Sequence, residues 1–285
     1  MSNNLPTFET IVVPVDGSEL SEAAVPVASA IATPSGARIN LVTVVLTYQV
    51  PVTSQLDTVT RQSITRIHAG LQARFPGVTQ TLLAGDPPEE ISNHARSVDA
   101  GLIVMATHGR SGLRKLLLGS VADKLVSICP VPVLLVRQNG PLPSSPTSPA
   151  EFDRIAIPVD GHEASTAAVP IAIELARLMS LEAVLIYVDE GHGDVDAMRK
   201  QANATAERFE ASGVTAKIQP SFGEPGKVIS EIANKPGTLV VMASLSATGI
   251  ARGTHRGSVA DYIVKHSTAP VMIVPPKGYL GPVVT

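Results

Sequence analysis

One cysteine, Cys129, is all that 285 residues provide, so no internal disulfide can staple the fold. A reduced, cytoplasmic setting is expected, with Cys129 as a small buried hydrophobe. Tryptophan is absent and aromatic residues make up only 3%. The formal net charge is −3 and the pI about 6.2, which removes the electrostatic footprint of a nucleic-acid or anionic-membrane binder. No apolar run reaches the roughly 20 residues that a bilayer span needs. The polar N-terminus, M-S-N-N-L-P-T, carries no secretory signal pattern. The seven histidines form no H-x-x-x-H pair and have no cysteine partner, which argues against a zinc site. Three catalytic or phosphate motifs are missing as well: G-x-x-x-x-G-K-[ST], a dinucleotide G-x-G-x-x-G after the first strand, and G-x-S-x-G.

What is present is a duplication. I-V-V-P-V-D-G at Ile11–Gly17 returns as I-A-I-P-V-D-G at Ile155–Gly161, and A-A-V-P at Ala23–Pro26 returns at Ala167–Pro170. G-S-V-A-D at Gly119–Asp123 returns at Gly257–Asp261, in the same order and offset by about 140 residues. A domain over 1–138 and another over 151–285 are expected. The Pro- and Ser-rich stretch at 139–150 reads as a semi-extended linker. Hydrophobic content of 44% against 16% charged residues suits compact domains.

Within each copy, short apolar runs alternate with helical patterns. The first copy reads as strands at Thr10–Val15, Ala37–Leu46, Val78–Leu83, Leu102–Ala106 and Val131–Val136. Its helices are expected after Ser18, with Pro26 kinking the first of them, and at Leu56–Arg74, Asp86–Ser97 and Ser120–Ile128. This alternation predicts an α/β fold of two tandem domains. Each is a five-stranded, mostly parallel open sheet with helices on both faces, Rossmann-like in plan.

In such sheets ligands sit beyond the carboxyl ends of the strands. Asp16 and the loop after Ala106 both fall there, on one rim. Asp16 could accept hydrogen bonds from ribose hydroxyls, or could simply shape the Asp16-Gly17 turn and cap the next helix. Gly119-Ser120 opens a helix, where free N–H groups and the positive end of the dipole favour a phosphate; an ordinary N-cap is the alternative.

Two stretches carry a resemblance: P-V-D-G-S after the first strand, and T-H-G-R-S-G-L-R-K-L-L-L-G-S-V-A-D (107–123). With the closing P-V-P-V-L-L-V strand, the chain resembles a tandem universal stress protein, of the adenine-nucleotide α-hydrolase-like fold, over nearly its whole length. The ATP-binding branch of that family has G-x-x-G, nine residues, then G-[ST]. Here Ala106 takes the first glycine position, while Gly109, Gly119 and Ser120 match. The resemblance implies that Asp16 meets the ribose and the backbone of Val44 meets the adenine edge. It also implies that Gly109, Gly119, Ser120 and Val121 wrap the phosphates, with Ala106 in the floor and His108 and Arg110 flanking. ATP is the implied cofactor, with magnesium held through its phosphates.

The second copy departs from the pattern. Asp160, Val188, Gly257, Ser258 and Val259 match, but A-S-L-S at Ala243–Ser246 replaces A-T-H-G, and the loop to Gly257 is one residue longer. Arg252, His255 and Arg256 add positive character there. A weaker second site is expected. The resemblance further implies pairing through the fifth strands, Val131–Val136 and Val271–Val274. An intramolecular pseudo-dimer would result, and a homodimer of chains could follow; an apolar edge strand seeks a partner. The functional expectation is an ATP-binding regulatory protein of the stress response. The alternatives are a slow ATP hydrolase and a nucleotide-free interaction module.

Overall fold

A computed structural model describes residues 8–46, 69, 73, 77–107, 118–137, 150–243 and 258–276. The first copy contains β1 (Thr10–Pro14), α1 (Glu19–Glu22), α2 (Ala24–Ser35), β2 (Arg38–Val45), β3 (Thr79–Ala84), α3 (Pro87–Ser97), β4 (Leu102–Ala106), α4 (Ser120–Ile128) and β5 (Val133–Val136). The second copy begins with β6 (Arg154–Pro158), a 3-10 turn (Glu163–Ala168), α5 (Val169–Met179), β7 (Glu182–Asp189) and α6 (Val195–Ala211). It continues with β8 (Ala216–Phe222), α7 (Pro225–Ala233), β9 (Thr238–Ala243), α8 (Ser258–His266) and β10 (Val271–Val274). The helix expected over Leu56–Arg74 falls outside the described residues except at Ala69 and Ala73, which are helical. Of the linker's 139–150, only Ala150 is described; its N–H donates to the Pro26 carbonyl at 3.0 Å.

The strands are apolar on both faces because helices cover both. Ile11, Val12 and Val13 of β1 are fully buried, as are Leu102, Ile103 and Val104 of β4. Each copy gives five parallel strands, in order β3-β2-β1-β4-β5 and its counterpart β8-β7-β6-β9-β10. The two sets do not stand apart. β5 and β10 pair antiparallel, Leu134 opposite Met272, and so merge them into one ten-stranded sheet. The fifth strands thus meet within the chain. Every residue of both is buried, and the core on each face draws side chains from both copies. On one face α2 of the first copy packs against α5 of the second.

The disturbance expected at Pro26 takes the form of a break, with the junction residue Ala23 still in the right-handed helical region. The helix breaks at Ala23 into α1 and α2, which places Pro26 in the first turn of α2. There its missing N–H costs nothing, because first-turn N–H groups have no partner within the helix. The second copy solves the same problem with a 3-10 turn before α5, whose Pro170 is again in the first turn. Ser18 caps α1 as expected, accepting from Ser21 N–H at 3.2 Å.

A polar node fastens the outer strands of the first copy to α3. Asn40 on β2 donates through Nδ2 to Thr79 Oγ1 at 2.9 Å and Thr81 Oγ1 at 3.0 Å, while its Oδ1 meets His94 Nε2 at 2.8 Å. Burial disfavours the charged imidazole and pushes the His94 pKa below its ordinary 6.5. A depressed histidine pKa means that the unfolded chain binds the proton more readily. The stabilisation is therefore full above pH 6.5 and is lost as pH falls through the folded-state value. Denaturant unfolding midpoints should drop on acidification below pH 6.5, and His94→Gln should flatten that part of the curve. An unchanged slope in the variant would remove His94 as its cause.

Candidate functional site

The rim of the first copy is built where β1, β2 and β4 end. After Pro14 the chain leaves the sheet: Val15 N–H still donates to the Val42 carbonyl at 2.8 Å, and Asp16 then turns away. Asp16 Oδ1 accepts from Ser18 N–H at 3.0 Å and from Ser18 Oγ–H at 2.6 Å. The Asp16 N–H donates to Ser21 Oγ at 3.1 Å. The turn-shaping role of Asp16 is thereby realised, and the carboxylate is held in a set orientation, half-buried at the rim.

Val44 follows from the strand geometry. Alternate residues of a parallel strand direct their main-chain groups to opposite neighbours. Val42 faces β1, and Val45 faces the β3 side, where its carbonyl accepts from Gly85 N–H at 2.9 Å. By the same alternation Val44 turns its N–H and C=O toward the side that β1 has vacated. A polar main-chain edge is left there, next to Asp16.

The third part is the helix start. β4 ends at Ala106, and Thr107 N–H donates to the Val136 carbonyl at 2.9 Å. The Thr107 carbonyl in turn accepts from Gly119 N–H at 2.8 Å, which docks the N-cap of α4 onto the end of β4. Gly119 has no side chain to cap the helix, and among the described residues Asp123 is the acid of its first turn. An anion is the natural complement. His108, Gly109 and Arg110 lie outside the described residues. Lys124, on the second turn of α4, is engaged by Asp86 at 2.7 Å and Glu89 at 3.0 Å.

Sequence reasoning passed over Arg137, the residue that ends V-P-V-L-L-V-R. It lies directly after β5, and its Nε and Nη2 are buried without a hydrogen-bond partner. Burial lowers its pKa from the ordinary value. A charge at the carboxyl end of an otherwise apolar strand was the available signal.

The second copy repeats the plan with different fittings. Val159 N–H donates to the Ile186 carbonyl at 2.8 Å, so Val188 turns its main-chain groups toward the gap beyond β6. Asp160 Oδ1 accepts from His162 N–H at 2.9 Å. A cavity of about 500 Å³ opens here, walled by Val159, Val188, Met198, Ile229, Met242 and Val259. Asp160, Glu190 and Asp194 bring carboxylates to it. Ser258 and Val259 begin α8 beside it, and Gly257 falls outside the described residues.

One device of this copy was not legible in advance: Gln201 of α6 clamps the turn. Its Oε1 accepts from Gly161 N–H at 2.7 Å, and its Nε2 donates to the His162 carbonyl at 2.5 Å and to Ser165 Oγ at 3.1 Å. The start of α6 also carries its own acid, since Asp194 accepts from Ala197 N–H at 2.9 Å. That helix start is thereby capped by a side chain, which Gly119 cannot supply to α4, whose first-turn acid is Asp123.

A family model described as "Universal stress protein family" matches residues 7–137 and again 151–275. The chain belongs to the universal stress protein family. A universal stress protein of Thermus aquaticus is 36% identical over 140 residues, which is 46% of this chain and 99% of that protein. YxiE, a universal stress protein of Bacillus subtilis, is 45% identical over 53 residues, 19% of this chain and only 36% of that relative's length. The solved structure of a universal stress protein from Archaeoglobus fulgidus covers 94% of this chain and 98% of its own, with a TM-score of 0.69 and 22% identity. That likeness establishes a shared fold across both copies. No helix among the described residues is long and apolar enough to cross a membrane.

Close packing at Gly161 yields a direct test. Its φ is +84°, and a Cβ there would approach Met198 N to 3.2 Å and Ala197 Cβ to 3.3 Å. Gly36 has a similar φ of +71° with open space around it. Gly36→Ala should cost about 1–2 kcal/mol from backbone strain alone. Gly161→Ala should cost more, because α6 must shift. Equal losses in denaturant unfolding would show that α6 does not press on the turn.

Proposed function

We propose that this universal stress protein is an adenine-nucleotide-binding regulatory protein, with ATP held mainly by the first copy. The observation that carries the reading is the docking of Gly119 on the Thr107 carbonyl. It fixes an uncapped helix N-terminus on the same rim as the Asp16 carboxylate and the exposed main-chain edge of Val44. Those three features suit a phosphate chain, a ribose and the hydrogen-bonding edge of a base, in that order. Asp16 would orient the ribose, Val44 would address the base, and Gly119, Ser120 and Val121 would receive phosphate oxygens. Ala106 would form part of the floor. His108, Gly109 and Arg110 complete the set by their place in the motif. Magnesium would arrive with the ATP phosphates.

The second copy, with Asp160, Val188, Gly257, Ser258 and Val259, is the weaker site in this reading. Besides Asp160, the counterpart of Asp16, its cavity is lined by Glu190 and Asp194, near the place where a polyanion would lie, which supports the asymmetry. We assign residues 1–138 and 151–285 to the two domains, with 139–150 as the linker, and take the pseudo-dimer as the working unit. Because β5 and β10 already satisfy each other, a homodimer would have to use another surface. Nucleotide occupancy, rather than turnover, would carry the signal: the Asp16 carboxylate is bound into its own turn and is not poised as a base.

Denaturing the purified protein should release about one ATP per chain. Two per chain would refute the asymmetry, and none, without a thermal shift on adding ATP, would refute nucleotide binding. Gly119→Val places a branched side chain in the phosphate path and should weaken ATP about tenfold or more, equivalent to at least one charge-assisted contact. Unchanged affinity in titration calorimetry would place the site elsewhere.

A further inference from the structure

Arg137 is half-buried, but its Nε and Nη2 are enclosed with no hydrogen-bond partner, and enclosed guanidinium N–H groups are disfavoured unless an acceptor, best an anion, meets them. An arginine cannot escape by losing its proton. Its surroundings place it beside the helix start just described. Val136, the residue before it, accepts from Thr107 N–H, and Thr107 accepts from Gly119 N–H. One strand spacing, about 4.8 Å, separates β5 from β4. The face is set by alternation. Val133 and Leu135 pack in the core that holds Ala122 and Leu125 of α4, whereas Leu134 and Val136 pack in the core on the other face. Arg137 continues the first series, so its side chain lies on the α4 side of the sheet.

Two independent demands for negative charge therefore converge. Gly119 gives α4 no side-chain cap, with Asp123 the acid of that first turn, and the guanidinium has two buried nitrogens without acceptors. Lys124 does not compete, because Asp86 and Glu89 hold it.

We infer that Arg137 is the internal counter-cation for a phosphate-type anion bound against the N-terminus of α4. In the nucleotide reading, on which this inference rests for the identity of the remaining ligand, the anion is the phosphate chain of ATP. The guanidinium fork offers Nε–H and Nη2–H to one phosphate group, as main-chain N–H groups of Ser120 and Val121 do from the other side. Arg137 then sets the preference for a phosphorylated ligand over the bare nucleoside.

The test uses the full chain and three probes in titration calorimetry: ATP, adenosine and inorganic tripolyphosphate. Arg137→Met should weaken ATP and tripolyphosphate about tenfold or more while leaving adenosine unchanged. The melting temperature without ligand should hold or rise, because an uncompensated charge has gone. Arg137→Lys, which keeps the charge and loses the fork, should fall between the two. Equal weakening of ATP and adenosine would make Arg137 a structural prop and overturn the inference, as would unchanged tripolyphosphate binding. Should Arg137→Met fail to fold, the native chain and Arg137→Lys still decide. Tripolyphosphate must raise the native melting temperature, with an effect that shrinks as salt is added and is smaller in Arg137→Lys; absence of either overturns the inference. Arg137-dependent tripolyphosphate binding without any gain from the adenosine portion would defeat the nucleotide reading alone. ATP binding that ignores Arg137 would defeat this inference alone.

Discussion

The antiparallel ladder between β5 and β10 is the contact on which the rest of the architecture hangs. Each copy, taken singly, would end in an apolar strand whose outer edge has main-chain donors and acceptors to satisfy. Pairing Leu134 with Met272 satisfies both edges at once and buries both strands completely. The hydrophobic layers above and below then become common property of the two copies. A duplicated unit thereby becomes one sheet with two rims, and each copy's sites face the carboxyl ends of its own strands.

The two rims share a plan and differ in charge. In both, the strand before the Asp-Gly turn stops early, and the neighbouring strand runs on with a main-chain edge exposed. In the first copy the helix that returns to this edge begins at a bare glycine, with an orphan guanidinium nearby. In the second copy α6 presses on Gly161, Gln201 ties the turn, and Asp194 occupies a helix start. The second rim thus ties its Asp-Gly turn to α6 and adds Glu190 and Asp194 beside Asp160, the counterpart of Asp16.

Much of this was written in the residue pattern. β4, α4 and β10 have the bounds that apolar runs and capping residues predict. That Pro26 disturbs its helix was legible, whereas the form of the disturbance, a break at Ala23, was not, because a proline's effect depends on its position within the helix. That position is set by where the preceding turn packs. Asp16 shows the other kind of limit. Its type and place suggested two roles, and only the bonds to Ser18 show that turn formation is one it performs.

By itself the sequence determined the alternation of strand and helix, the duplication, and the placing of Asp-Gly and Gly-Ser at strand ends. Those are properties of neighbours along the chain, where side-chain periodicity and turn chemistry act over a few residues. The tertiary structure alone decided the register in which β5 meets β10, that Gly119 docks on Thr107, that Gln201 clamps Gly161, and that Nε and Nη2 of Arg137 are enclosed without a partner. Each of these joins groups distant in sequence or depends on what surrounds a side chain. Packing and loop closure select such pairings, and no local pattern encodes them.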